Sequence, residues 1–182
     1  MAVGTKHITV EEFEQFVALP ENAERRFEYA GGEVAEVVSN NYSSLVAARI
    51  LIRIGSHVES KGLGYVTGAD GGYRVAGGRY IPDVAFVSKA RQPEPSYDTY
   101  NPTPPDLAVE VLSPTDDLNV MRFKVASYLA AGTTVWIVDP DKKRVEVYVP
   151  GQPPRHVEAD EELDGGDVLP GLTLAVKDFF PD

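Results

Sequence analysis

Apolar and polar positions follow two rhythms along the chain. Three stretches repeat near every 3.6 residues; most of the rest alternates or runs solidly apolar over short spans. In "ITVEEFEQFVAL" Thr9 is followed three residues on by Glu12, a capping-box pattern that predicts a short helix. "SNNYSSLVAARILIRIGSHVES" presents Leu45, Val46, Ile50, Ile52 and Ile54 as a broad apolar surface and predicts a second helix, capped by Asn40 or Asn41. "LNVMRFKVASYLAAG" predicts a third, with Leu118, Met121, Val125, Tyr128 and Leu129 on one stripe and Gly132 as C-cap.

The strand rhythm fills the intervals. "RRFEYAGGEVAEVV" reads as two strands joined at Ala30-Gly31-Gly32, a hairpin. Three short strand-like pieces separated by Gly pairs make up "GYVTGADGGYRVAGGRYIPDVAFV". Residues 91–105 hold five of the fourteen prolines and predict a surface loop or flap. "DLAVEVLS" is a buried strand, "TTVWIVDP" and "RVEVYV" are strands around the "DPDKK" turn, and "VLPGLTLAVKDFF" is a closing strand with a short terminal element. There is no internal repeat, and the pattern predicts one mixed α/β or α+β domain over residues 1–182.

Composition narrows the chemistry. With no Cys, disulfides and thiolate metal sites are excluded. The three His (His7, His57, His156) are far apart in sequence, so any metal site is expected from carboxylate oxygens, which favour magnesium, manganese or calcium. No apolar run spans a bilayer and the N-terminus lacks a signal-peptide core, so a cytoplasmic protein is expected. The net charge of −11 argues against a generally sticky nucleic-acid binder. Residues 157–167 carry six acids and no Lys or Arg, however, so the remainder sums to only −5.

Two strands carry a carboxylate where an apolar residue belongs. In "YIPDVAFV", Asp83 shares a face with Ala85 and Val87; in "DLAVEVL", Glu110 shares a face with Asp106, Ala108 and Leu112. Each acid thus has a small Ala two residues away, which leaves room above the sheet for an ion and a ligand. If the strands are neighbours, two like charges converge, which is unfavourable without a cation. Pro82 suggests a strand edge or bulge. Lys124 lies on the flank of the third helix, about 90° from the centre of its apolar stripe, and its long side chain reaches back toward the sheet.

The run "YIPDVAF…PPDLAVEVLSPTDD…FKVASYLAAGTTVWIVDPDKKRVEVY" resembles the restriction-endonuclease family of the Uma-two type, within the PD-(D/E)XK nuclease superfamily. The resemblance extends from "FEYAGGEV" to "LPGLTL". It implies a restriction-endonuclease-like mixed sheet core flanked by helices, Mg²⁺ (or Mn²⁺) dependence and DNA as substrate. By resemblance Asp83 is the PD aspartate, Glu110 the second acid, and Lys124 the lysine that the family carries on the following helix. Leu112 stands where the superfamily's strand pattern has Lys, which puts weight on that migrated lysine. Glu33, in "GGEV", matches a further acidic position that completes the metal site; Asn40-Asn41-Tyr42 stand where members often have a His.

Plainer readings stand beside these. Asp83 and Glu110 are alternatively buried acids satisfied by Arg, Lys or backbone N–H groups, Lys124 a solvated helix-edge residue, and Glu33 an exposed hairpin residue. Asp106 is expected to bond nearby backbone, and Asp116 and Asp117 to favour a helix N-terminus. Arg49, Arg53 and His57, at i, i+4 and i+8, form either a phosphate-contacting stripe or a solvated face. The leading expectation is a metal-dependent endonuclease hydrolysing DNA, with a homodimer compatible with cutting both strands. The alternatives are a catalytically silent nuclease-fold binding or assembly module, and a phosphodiesterase acting on RNA or nucleotides.

Overall fold

The computed structural model describes residues 7–37, 39–114 and 116–181. Among the described residues there are three α-helices: α1 (Val10–Val17), α2 (Asn41–Lys61) and α3 (Leu118–Ala130). The first starts on the expected capping box: the Glu12 N–H donates to the Thr9 hydroxyl at 3.2 Å, and the Thr9 N–H to Glu12 Oε2 at 2.8 Å. Asn40, not Asn41, caps α2, accepting the Ser43 N–H at 2.9 Å.

The strands are β1 (Phe27–Ala30), β2 (Glu33–Glu36), β3 (Gly64–Gly68), β4 (Gly72–Val75), β5 (Gly78–Tyr80), β6 (Val84–Ser88), β7 (Tyr100–Asn101), β8 (Leu107–Val111), β9 (Thr134–Asp139), β10 (Arg144–Tyr148), β11 (Arg155–Val157), β12 (Glu162–Asp164) and β13 (Thr173–Ala175). Six form a mixed sheet in the order β11-β10-β9-β8-β6-β3. Five form a second sheet, β2-β1-β5-β4-β7, and β12 pairs with β13. Strands β8 and β9 are parallel, which demands a crossover, and α3 supplies it.

The larger sheet is buried on both faces, so β8 and β9 read as apolar runs. On one face α2 lays Val46, Ile50, Ile54 and Val58, one every four residues, against Val84, Phe86, Leu107, Val109, Trp136 and Val138. Each such fully buried side chain contributes about 1.5–3 kcal/mol of transfer free energy. The opposite face, Ala85, Val87, Ala108, Val135 and Ile137, meets Val125 and Tyr128 of α3 and Tyr73, Val75 and Tyr80 of the second sheet. The division of Asp83 and Glu110 from Val84 and Val109 between faces is the one the alternation predicts. Helix α1 packs the outside of the second sheet, placing Phe13 against Phe27, Ile81 and Tyr100.

Several details differ from the sequence pattern: Leu45 and Ile52, expected on the apolar surface of α2, are 45% and 65% exposed, and the glycine-rich stretch read as three strands holds four, β3 to β6. Leu118, expected on the buried stripe of α3, is 56% exposed, whereas Lys124 and Ser127 are buried. Hydropathy cannot see that Lys124 meets compensating acids. The helix cap is Ala131, and Gly132 follows it with φ +76°. Strands β7, β11 and β12 lie where the sequence shows only a loop or an acidic run, because two or three residues are too few to display alternation. No helix among the described residues is long and apolar enough to cross a membrane.

Candidate active site

Register brings the two strand acids together. Strands β6 and β8 are antiparallel neighbours with Val84 opposite Val109, so Asp83, one step before β6, stands opposite Glu110. Asp83 sits at the bend after Pro82, half-buried, and its Oδ2 accepts the Val111 N–H at 2.7 Å. That bond locks the start of β6 to the end of β8. Glu110 is only 5% exposed.

Helix α3 delivers the cation. Lys124 is 5% exposed, and its Nζ lies 2.9 Å from Glu110 Oε1. The same Nζ contacts Glu28 Oε1 at 2.9 Å and Oε2 at 3.1 Å, and it sits 5.8 Å from the centroid of the Tyr80 ring. Glu28 comes from β1, where the hairpin closes through Gly31 and Gly32, both at positive φ as the two-residue turn requires. Glu28 Oε1 also accepts the Ile81 N–H at 2.7 Å. One carboxylate therefore ties β1, the Pro82 bend and α3 together. Tyr128, fully buried one helical turn beyond Lys124, donates its hydroxyl to Glu110 Oε1 at 3.1 Å.

Two carboxylates thus hold one ammonium, and a third, Asp83, lines the same cleft. Burial pushes Glu110 up to about 8; Lys124 pulls against this, while Glu28 and Asp83 reinforce it. Burial likewise raises Asp83, opposed by the Val111 N–H and Lys124. For Lys124 burial disfavours the charge, but Glu110 and Glu28 outweigh it and hold the ammonium protonated. The cluster is short of positive charge.

Oxygen bookkeeping shows where a cation fits. Both oxygens of Glu28 are engaged by Lys124, as is Oε1 of Glu110 by Lys124 and Tyr128, and Oδ2 of Asp83 by Val111. Glu110 Oε2 and Asp83 Oδ1 have no donor among the described residues, and neither is a sealed orphan atom. Both residues line a cleft of about 280 Å³, with Glu28, Ile81, Val111 and Lys124. Among the described residues no three His, Asp or Glu side chains form a ready metal cage. Two carboxylates lining one cleft nevertheless fit Mg²⁺, which keeps several waters and binds through one or two carboxylates.

Three other sequence candidates lie elsewhere. Glu33 is exposed at the start of β2; it shares the face of Glu28 but sits two register steps toward the turn, outside the cleft lining. The third acid of the cluster is Glu28, not Glu33. Arg49 donates to the Phe180 carbonyl at 3.0 Å, and Arg53 to the Arg49 carbonyl at 2.9 Å. With Lys177 they line a separate cleft at the C-terminal segment, so their visible work is to dock that segment on α2. Asp106 bonds the Ser88 N–H at 2.7 Å and Asp117 caps α3, as expected. Glu28 was legible in principle: in "FEYA" it shares a face with Ala30, the same acid-plus-Ala signature as Asp83 and Glu110. Tyr128 is hidden because at i+4 from Lys124 it reads simply as core.

A mixed α+β fold with paired strand acids and a buried helix lysine is what this geometry defines. The chain is similar to a crystal structure of a putative nuclease belonging to DUF820 from Anabaena variabilis ATCC 29413 (24% identity, TM-score 0.82), covering 95% of this chain and 97% of that one. A search among curated proteins finds no match. Residues 13–177 match the family Uma2, described as "Putative restriction endonuclease", and the chain belongs to that family.

Proposed function

We propose that the protein is a Mg²⁺-dependent endonuclease that hydrolyses DNA phosphodiester bonds, with Asp83 and Glu110 as metal ligands and Lys124 beside them. The observation that carries this reading is that Asp83 and Glu110, each with one carboxylate oxygen that accepts no bond among the described residues, line one cleft next to a buried ammonium. When bound there, Mg²⁺ would supply charge neutralisation at the phosphoryl group and a more acidic water.

The chain's own residues do the rest. Lys124 keeps a full charge in a site with little solvent, where electrostatic stabilisation of a phosphoryl oxygen is stronger than in water. Its Nζ donates to both oxygens of Glu28 and pairs with Glu110 Oε1, and the residue lines the cleft, where a phosphoryl oxygen would meet its charge. Glu28 holds the lysine's direction, and the Val111 N–H fixes Asp83.

The cleft opens beside a larger one of about 980 Å³ that shares Ser39, Ser113 and Asp116 with it and includes Tyr42 and Lys142, a path for a polymeric substrate. The scarcity of cations there favours, as a second reading, a silent nuclease-fold module that binds a protein partner. Cleavage of single- and double-stranded DNA and of RNA with Mg²⁺ or Mn²⁺ separates these. The proposal expects turnover by the wild type and its loss in Asp83→Ala and Glu110→Ala. Equal activity in all three proteins would remove the assignment, and turnover on RNA alone would move the substrate.

A further inference from the structure

Resting on the metal site proposed above, we infer that Tyr128 is a positioning residue: it selects which oxygen of Glu110 faces the cleft. A carboxylate on a flexible side chain presents two equivalent oxygens, and nothing in β8 distinguishes them. The distinction comes from α3. Lys124 and Tyr128, four residues apart on one helix face, both engage Oε1, the ammonium as an ion pair at 2.9 Å and the phenol hydroxyl as a hydrogen-bond donor at 3.1 Å. Oε1 is thereby held twice, and Oε2 is the oxygen left for a ligand.

The tyrosine is itself held rigidly. Its ring lies 5.4 Å from that of Tyr80, whose hydroxyl donates to Ser127 Oγ at 3.1 Å; Ser127 Oγ in turn donates to the Phe123 carbonyl at 3.0 Å. Tyr128 is 0% exposed, so no water competes for its hydroxyl. A lysine alone would not fix the carboxylate plane, because an ammonium is a rotatable point charge equally suited to either oxygen. A phenol hydroxyl on a wedged ring offers one direction only. Partners of this kind behind a metal-ligating group typically alter metal affinity by about 10–100-fold when removed.

The test is Mn²⁺ binding to the metal-free protein, followed by electron paramagnetic resonance, for the wild type, Tyr128→Phe and Tyr100→Phe. Tyr100 is the control because it too loses a buried hydroxyl bonded to protein, there the Phe27 carbonyl, and does not line the cleft. We expect Tyr128→Phe to weaken Mn²⁺ binding about tenfold or more with a native circular dichroism spectrum, and Tyr100→Phe to bind as the wild type does. A folded Tyr128→Phe with wild-type affinity overturns the inference while leaving the metal site intact. If the wild type itself takes up no Mn²⁺, the proposed function fails and Tyr128's role with it. A second measurement needs no variant. In protein carrying ¹³C at the tyrosine ring carbon that bears the hydroxyl, Mg²⁺ should shift the Tyr128 resonance and not that of Tyr100; an unmoved Tyr128 signal at saturation also overturns the inference.

Discussion

Replacing Lys124 by Met keeps most of the length and the apolar stem of the side chain and removes the charged, donating head, so it isolates what the ammonium does. Its contacts with Glu110 and Glu28 are each 2.9 Å at closest, between side chains that are 7%, 6% and 14% exposed. With an effective dielectric of about 20, each contact is worth roughly 5–6 kcal/mol before desolvation is subtracted. Removing one partner of a buried pair typically costs about 3–5 kcal/mol, because the remaining charge is stranded. Here two acids are stranded, although Glu110 escapes part of the cost by taking up a proton, its pKa already standing at about 8. For a chain of this size, about 3–5 kcal/mol corresponds to a fall of roughly 6–20 °C in melting temperature. Urea and thermal denaturation of Lys124→Met measure it. The Lys124→Met/Glu28→Gln double variant should regain part of the loss, since one stranded charge is gone. A loss below about 1 kcal/mol, or no recovery in the double variant, would mean that Lys124 is not the counter-ion of this cluster.

Other outcomes follow from the same geometry. Glu33→Ala should leave divalent-ion binding within about twofold of wild type, whereas Asp83→Asn should weaken it by an order of magnitude or more; the reverse order would restore Glu33 to the site. Arg49→Ala should lower stability by about 0.5–1.5 kcal/mol through the lost bond to the Phe180 carbonyl and leave DNA cleavage per folded molecule unchanged; a selective loss of DNA binding would return the arginine to the substrate path. Burial, then Glu28, pushes Tyr100 up to about 12, and burial, then its bond to Glu146, does the same for Tyr148. A phenol raised above its unfolded value of about 10 contributes stability that is complete below pH ~10 and is lost as the pH rises through about 12. Absorbance at 295 nm should therefore show Tyr148→Phe losing a late-ionising phenol, and loss of one titrating near 10 would contradict the burial argument.

The sequence made the paired acids legible because alternation assigns faces without any knowledge of neighbours. Asp83 with Ala85 and Glu110 with Ala108 fall on one side, and the register of β6 with β8 then sets the acids opposite each other. The lysine's reach was visible from helical phase, but its burial was not, since that depends on acids arriving from two other elements. Glu28 is the clearest case. Its strand reads as one arm of a hairpin, and only the pairing of β1 with β5 brings that arm over the Pro82 bend. Glu33, two register steps away on the same face, carries the same charge and a more prominent motif, so sequence alone favours it. Arg49 and Arg53 show the converse limit: a basic stripe looks the same whether it meets phosphates or the chain's own C-terminal carbonyls. The short strands β11 and β12 escape for want of length.

The metal site requires two oxygens that are free for one cation. Crystals soaked in Mn²⁺ test this directly through the anomalous signal of the ion. A peak is expected within about 2.0–2.6 Å of both Glu110 Oε2 and Asp83 Oδ1, with Glu28 still on Lys124. A saturated soak with no peak in this cleft, or a peak held by Glu33 or Glu28 instead, would contradict it.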